Sequence, residues 1–419
     1  MKNRWLIAAS AVGIHISIGS VYAWSVISKP MMGTYGWSLK EVSLTFSIAI
    51  AFLGLAAAFF GGWVERSGPR KAGMLAAVLF CGGLLVAGVA CRLRSLPLLY
   101  LGYGVIGGMG IGIGYITPVA TLLRWFPDKR GLATGIAIMG FGFAALISGP
   151  LMQRIIQTAG IPAVFFSLAG LYFLLMAAAA QYLAPPPTEW RPPGRARSAA
   201  RGQIIAAAPI QLTAAQAVGT VRFYLLWMMF FLNITCGIAV ISVASPMAQE
   251  LAKMTPQAAA AMVGVLGVFN GLGRIGWSAL SDRIGRPVLW IVFFMLQCAA
   301  FVLLPRVTDV VLFQGLVFLI VSCYGGGFAS MPAFLSDVFG TRQLSAILGY
   351  LLTAWSAAGI VGPIFVAGIR QSTGSYEKTF LVFSGMFAAA FVLSLLLWID
   401  TRRLATLRLT THAEETPAA

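Results

Sequence analysis

GGWVERSGPRK, residues 61–71, closes one long apolar run, and SDRIGRP, residues 281–287, closes another. Both carry an acid, an arginine, a glycine and a second arginine in the same order. These are Glu65, Arg66, Gly68 and Arg70 in the first stretch, and Asp282, Arg283, Gly285 and Arg286 in the second. The two acids stand 217 residues apart, about half of the 419-residue chain. A weaker echo links RWFPDKRG (Arg124–Gly131) with DVFGTRQL (Asp337–Leu344). Motifs repeated at half-chain spacing predict two homologous halves with a site at the midplane between them.

Working outward, the chain is 59% hydrophobic and 10% charged, with a mean hydropathy of +0.87. Soluble domains carry about 25% charged residues. A membrane span needs about 20 apolar residues. Twelve such runs are predicted, at 5–27, 42–63, 72–91, 98–122, 131–153, 162–183, 223–247, 258–281, 287–304, 310–334, 344–369 and 379–399. The expected fold is an all-α membrane protein of twelve transmembrane helices in two pseudo-symmetric six-helix bundles. The expected division is 1–183 for the first bundle, 184–222 for a basic linker, 223–399 for the second bundle and 400–419 for a tail.

The net charge of +17 sits in short loops between apolar runs, which argues for topology and not for nucleic acid. Of the 29 lysines and arginines, 19 lie in the termini, the even-numbered loops and the long middle loop; 9 lie in the odd-numbered loops. The excess of basic residues predicts both termini on the cytoplasmic side of the cell inner membrane. The middle loop, with Pro185–Pro187, Pro192, Pro193 and four arginines between Arg191 and Arg201, reads as a basic linker on the membrane surface. The last nine residues, THAEETPAA, read as a disordered tail. The basic start, MKNRW, leads into a run too long for a signal peptide, so it is expected to stay. Five scattered cysteines lack metal-ligand spacing, and no cofactor is expected.

One charge breaks the apolar pattern. Arg274 lies inside the eighth run, VGVLGVFNGLGRIGWSALSDRIGR (263–286), more than a turn from its end. A charge near the middle of a bilayer helix costs about 2.5–3.5 kcal/mol. No acid lies in the apolar body of another predicted helix to pair with it. A fixed cation without a counter-ion suits the binding of a small anion, and guanidinium matches carboxylate in two parallel hydrogen bonds. The rival reading is an arginine snorkelling from a helix end. Asn270 lies one turn before Arg274 on the same face, to bond either the guanidinium or the anion.

Tyr22, Tyr115, Tyr324 and Tyr350 sit mid-span, where a phenol both donates to an anion and shapes a pocket. Tyr103, near an outer helix end, reads as interfacial. His15 is the one histidine inside a span and the candidate for proton exchange. Gly102–Gly107 fits GxGxxG within a helix, with no strand before it, so it is no dinucleotide fingerprint. The spacing of Gly104, Gly108 and Gly112, and of Gly110 and Gly114, predicts close helix packing. Gly149-Pro150 and Gly362-Pro363 fall in corresponding helices, where they would permit bending.

The stretch Gly61–Lys71 resembles the signature loop of the major facilitator superfamily, and its return in the second half extends the resemblance over essentially the whole chain. The resemblance implies alternating access by rocking bundles, with a charged latch formed by Glu65, Arg66, Arg70, Asp282 and Arg283. WFPDKRGLATGIAIMG (125–140), GSVYAW (19–24) and FNGLGRIGWSALSDRIGR (269–286) resemble segments of monocarboxylate transporters and of the related oxalate/formate antiporter family. The resemblance implies that Arg274 is the substrate arginine and that Tyr22, Tyr115 and Tyr324 face the cavity. Trp355 stands where oxalate carriers of that family have a second cation, a lysine; Val21 and Ile50 stand where they have glutamines. Asn270 replaces an acid of the animal carriers, and helix 1 lacks their lysine, so their proton pathway does not transfer.

The expectation is a secondary carrier of a small monocarboxylate of the lactate, pyruvate or formate type, a monomer by analogy of fold. Arg274 binds the carboxylate, Tyr115 and Tyr324 help orient it, Trp355 with other aromatics encloses the tail, and Asn270 and Tyr22 are further substrate-binding candidates. The first rival is an oxalate exchanger, which needs a second cation. A sensor without flux would need an output domain. A membrane enzyme is disfavoured by the lack of a nucleophile–base pair, paired carboxylates or a metal cluster in the spans.

Overall fold

The computed structural model describes residues 2–187, 190 and 211–414. The arginines expected in the middle linker, Arg191, Arg195, Arg197 and Arg201, lie outside the described residues, as do residues 415–419. Among the described residues, twelve helices are long and apolar enough to cross a membrane. They are α1 (Arg4–Tyr35), α2 (Leu39–Ser67), α3 (Pro69–Arg92), α4 (Leu96–Trp125), α5 (Arg130–Ala159) and α6 (Ile161–Tyr182) in the first half. The second half holds α7 (Val221–Leu251), α8 (Pro256–Ile284), α9 (Arg286–Arg306), α10 (Val310–Phe339) and α11 (Leu344–Thr373), then α12 (Glu377–Glu414).

The helix ends follow from local chemistry. Proline occupies the first turn of α3, α4, α6, α8 and α9, where no intrahelical N–H bond is lost. The two repeat glycines, Gly68 and Gly285, adopt φ of +80° and +88°. They let α2 turn directly into α3 and α8 into α9, in a conformation that side chains with a Cβ disfavour. The last helix departs from expectation. It continues through Glu414, because after Gly385 no glycine or proline interrupts the sequence until Pro417.

Within the first bundle, α4 packs its glycines onto two partners. A Cβ at Gly108 would lie 2.6 Å from the Ala49 carbonyl of α2, and one at Gly110 would overlap Phe80 of α3. Tyr103 is buried, contrary to its interfacial reading. Its ring packs on Trp24 (centroids 4.4 Å apart) and Phe165 (6.1 Å), so intra-bundle stacking claims it.

The bundles meet along two pseudo-symmetric seams, α2 on α11 and α5 on α8. We call the side bearing the N-terminus and the end of α12 the terminal face. From that face to the midplane the seams are backbone-close. A Cβ at Gly61 of α2 would lie 2.6 Å from Ala346 Cα, and one at Gly135 of α5 would lie 2.6 Å from the Arg274 carbonyl. Ser356 Oγ of α11 donates to the Ile50 carbonyl of α2 at 2.9 Å. Further toward the opposite face, no hydrogen bond or ion pair among the described residues joins the bundles. A Cβ at Gly264 or Gly267 of α8, or at Gly368 of α11, meets nothing within 4 Å.

Candidate functional site

Arg274 lies at the midplane end of the α5–α8 seam and is fully buried. Its place depends on glycine across the seam, because a Cβ at Gly142 would stand 3.2 Å from Arg274 Cδ and Nε. Nε donates to Asn270 Oδ1 at 3.2 Å, one turn back on the same helix. Nη1 donates to the Ile138 carbonyl of α5 at 3.2 Å. Nη2 is buried without a partner. No carboxylate pairs with this guanidinium among the described residues. Two rings flank it instead, Phe328 of α10 at 5.3 Å and Phe141 of α5 at 5.8 Å from the guanidinium carbon. This is a polar fork held open inside an apolar box, the arrangement in which a bound anion gains most.

The other expected site residues gather here from both bundles. Tyr22 and Tyr324 hydroxyls meet at 3.3 Å across the midplane. Trp355 is fully buried; its ring lies 5.6 Å from Tyr115, 5.6 Å from Phe141 and 4.7 Å from Phe328. Tyr115 Oη and Trp355 Nε1 are buried without partners. His15 packs edge to face on Tyr115 at 5.4 Å, and its Nδ1 donates to the Ala11 carbonyl at 2.9 Å. Tyr22 is the one member of this group that is only partly buried. Phe141 and Phe328 went unnamed in the sequence reading. Phe328 falls one turn beyond Tyr324, and helical periodicity flags that position; Phe141 directly follows the helix-5 motif that ends at Gly140.

The terminal face carries a second constellation. Glu65 Oε1 accepts from Ser345 N, in the first turn of α11, at 2.6 Å, while Oε2 pairs with Arg124. Arg124 also reaches the Thr341 carbonyl at 3.1 Å. In the mirror arrangement, Asp282 accepts from Gly131 N and Leu132 N, in the first turn of α5, at 2.9 Å each. Each acid therefore caps the helix that faces it across the seam, where free N–H groups and the helix dipole favour negative charge. Arg286 donates to Asp282 at 2.6 Å and forms an ion pair with Asp337 at 3.2 Å, and Arg130 donates to Asp337 at 2.7 Å.

Three expected latch cations stand elsewhere. Arg70 and Arg283 are exposed, with no hydrogen bond or ion pair among the described residues, and Arg66 donates only to the Gly62 carbonyl of its own helix. The cations that bind Glu65 and Asp282 are Arg124 and Arg286, while Arg130 pairs with Asp337. Hydrogen bonds to a charged group contribute about 1.5–3 kcal/mol each. Asp282→Asn keeps one amide oxygen and loses the charge, so closure at this face is expected to weaken. The readout is alkylation of a reporter cysteine replacing Ala346, which is buried opposite Gly61, with the native cysteines replaced by alanine. The rate is expected to rise about tenfold, the equivalent of about 1.4 kcal/mol.

Comparison with known proteins places the chain in a family. The chain is 27% identical over 400 residues to "Oxalate:formate antiporter" of Oxalobacter formigenes, covering 94% of this chain and 91% of the relative. It is 26% identical over 366 residues to "Monocarboxylate transporter 13" of Bos taurus, covering 82% and 77%. It is 25% identical over 481 residues to "Apicoplast pyruvate carrier 1" of Toxoplasma gondii, covering 89% and 85%. Among solved structures, the E. coli fucose:proton symporter FucP superposes with a TM-score of 0.71 at 13% identity, covering 93% of this chain and 98% of that one. The proton:xylose symporter XylE gives a TM-score of 0.72 at 15% identity, covering 94% and 95%. Residues 9–363, from within α1 to within α11, match the family model of the Major Facilitator Superfamily, so the chain is a multi-pass membrane protein of a transporter family rather than an enzyme family and belongs to the Major Facilitator Superfamily.

Proposed function

We propose that this protein carries a small monocarboxylate across the cell inner membrane by alternating access. The observation that carries the reading is Arg274, a buried guanidinium with a free Nη2, no carboxylate partner among the described residues and a surround of aromatic rings drawn from both bundles. Its substrate carboxylate would bond Nη2, with the Tyr115 hydroxyl and Trp355 Nε1 as further donors. One cation balances one negative charge. By the resemblance, Trp355 stands where oxalate carriers have a lysine to balance a dianion, and its ring suits a small apolar tail. Binding neutralises the guanidinium, lowers the cost of enclosing it and thereby favours the step between the two faces. The terminal face is assigned to the cytoplasm by its excess of basic residues. Because one chain supplies both walls of the site, the expected unit is a monomer. The names of the relatives support both a monocarboxylate and an oxalate/formate cargo, and the single cation favours the first.

The test is uptake of labelled L-lactate into proteoliposomes, with and without an inward proton gradient, with formate, pyruvate and oxalate as competitors. Gradient-driven uptake would identify proton symport and direct attention to His15 and the substrate as proton carriers. Uptake only into anion-loaded vesicles would identify an exchanger. Exchange of oxalate with no lactate flux would overturn the monocarboxylate reading.

A further inference from the structure

Four buried polar atoms of the central site have no partner among the described residues: Arg274 Nη2, Tyr115 Oη, Trp355 Nε1 and His15 Nε2. They differ in kind. Arg274 Nη2 and Trp355 Nε1 only donate, and Tyr115 Oη donates or accepts. His15 differs from all three. Its Nδ1 bonds a backbone carbonyl, which accepts only, so Nδ1 carries the proton and Nε2 of the neutral ring presents a lone pair. That ring touches Tyr115, and Tyr115 touches Trp355 and Phe141, the ring beneath Arg274. A carboxylate has no hydrogen to give, so it satisfies the donors and leaves Nε2 bare. A buried acceptor left bare costs about 1–3 kcal/mol.

We propose that His15 selects 2-hydroxy monocarboxylates, accepting the hydrogen of their C2 hydroxyl while Arg274 and Tyr115 hold the carboxylate. The inference rests on the carrier reading above and narrows its cargo. A 2-oxo acid of the same size presents a carbonyl oxygen to the His15 lone pair and is disfavoured; an unsubstituted acid presents only carbon. Discrimination by a hydrogen-bonding site is strong because the wrong ligand leaves a buried group unpaired.

The experiment compares equilibrium binding of L-lactate, pyruvate and propionate to the purified full chain, wild type, His15→Leu and His15→Gln. Wild type is expected to bind L-lactate at least tenfold more tightly than either other acid. His15→Leu removes the acceptor, and the ratio of lactate to propionate affinity is expected to fall to within about twofold of unity. His15→Gln offers an amide oxygen and is expected to recover most of the ratio, which also controls for folding. Equal affinity of wild type for lactate and propionate, or an unchanged ratio in His15→Leu, overturns the role of His15. Failure of wild type to bind any of the three acids, with oxalate bound instead, overturns it too, and marks the failure as one of the carrier reading beneath it.

Discussion

Replacing Arg274 by lysine is expected to reduce monocarboxylate uptake at least 100-fold, and replacing it by methionine to abolish it. Removing one partner from a buried ion pair costs about 3–5 kcal/mol, and lysine restores the charge without the planar fork that leaves Nη2 free for a second bond. A thermal measurement separates an anion anchor from a structural residue. Among the described residues, the buried charge of the unloaded wild type has two neutral acceptors, Asn270 Oδ1 and the Ile138 carbonyl, and no carboxylate. Arg274→Met relieves that burden, so its Tm without substrate is expected to equal or exceed that of wild type. The rise in Tm that substrate produces in wild type is expected to vanish in the variant. A variant that loses several degrees of Tm yet retains substrate stabilisation would identify Arg274 as a packing element.

Gly349→Leu is expected to stop transport by holding the terminal face open. A Cβ at Gly349 would overlap the Ala57 carbonyl oxygen and stand 2.6 Å from its carbon, and helix backbone has no room to yield. The α2–α11 seam would have to part. Uptake should fall to background while the reporter cysteine at Ala346 reacts at its fully open rate. Gly368→Leu, on the same helix but with nothing within 4 Å of its Cβ, is the matched control and should keep near wild-type transport. Equal transport by the two variants would show that the seam need not close as drawn.

Much of this plan was legible in the residues. Hydropathy located all twelve spans, and Arg274 with Asn270 one turn away emerged from charge and helical spacing alone. The latch was half legible. Its acids stood in the repeat, but the arginines adjacent in sequence, Arg66, Arg70 and Arg283, turn away from the seam. Arg124 reaches Glu65 because α4 ends beside α2, and Arg130 reaches Asp337 because α5 begins beside α10, proximities that sequence order does not encode. The caps on Ser345 N, Gly131 N and Leu132 N were invisible for another reason: every residue but proline has that N–H, so no residue type announces it. Tyr103 was misplaced because a ring near a helix end looks the same whether it meets headgroups or Phe165.

The unpaired guanidinium also has an electrical consequence. Each elementary charge moved through the full field is worth about 2.3 kcal/mol per 100 mV. With no carboxylate beside Arg274 among the described residues, the unloaded protein holds a net positive charge at the membrane centre, whereas a bound monoanion cancels it. The membrane potential therefore acts chiefly on the empty form. Voltage would set the rate of the return stroke and leave the loaded stroke nearly untouched.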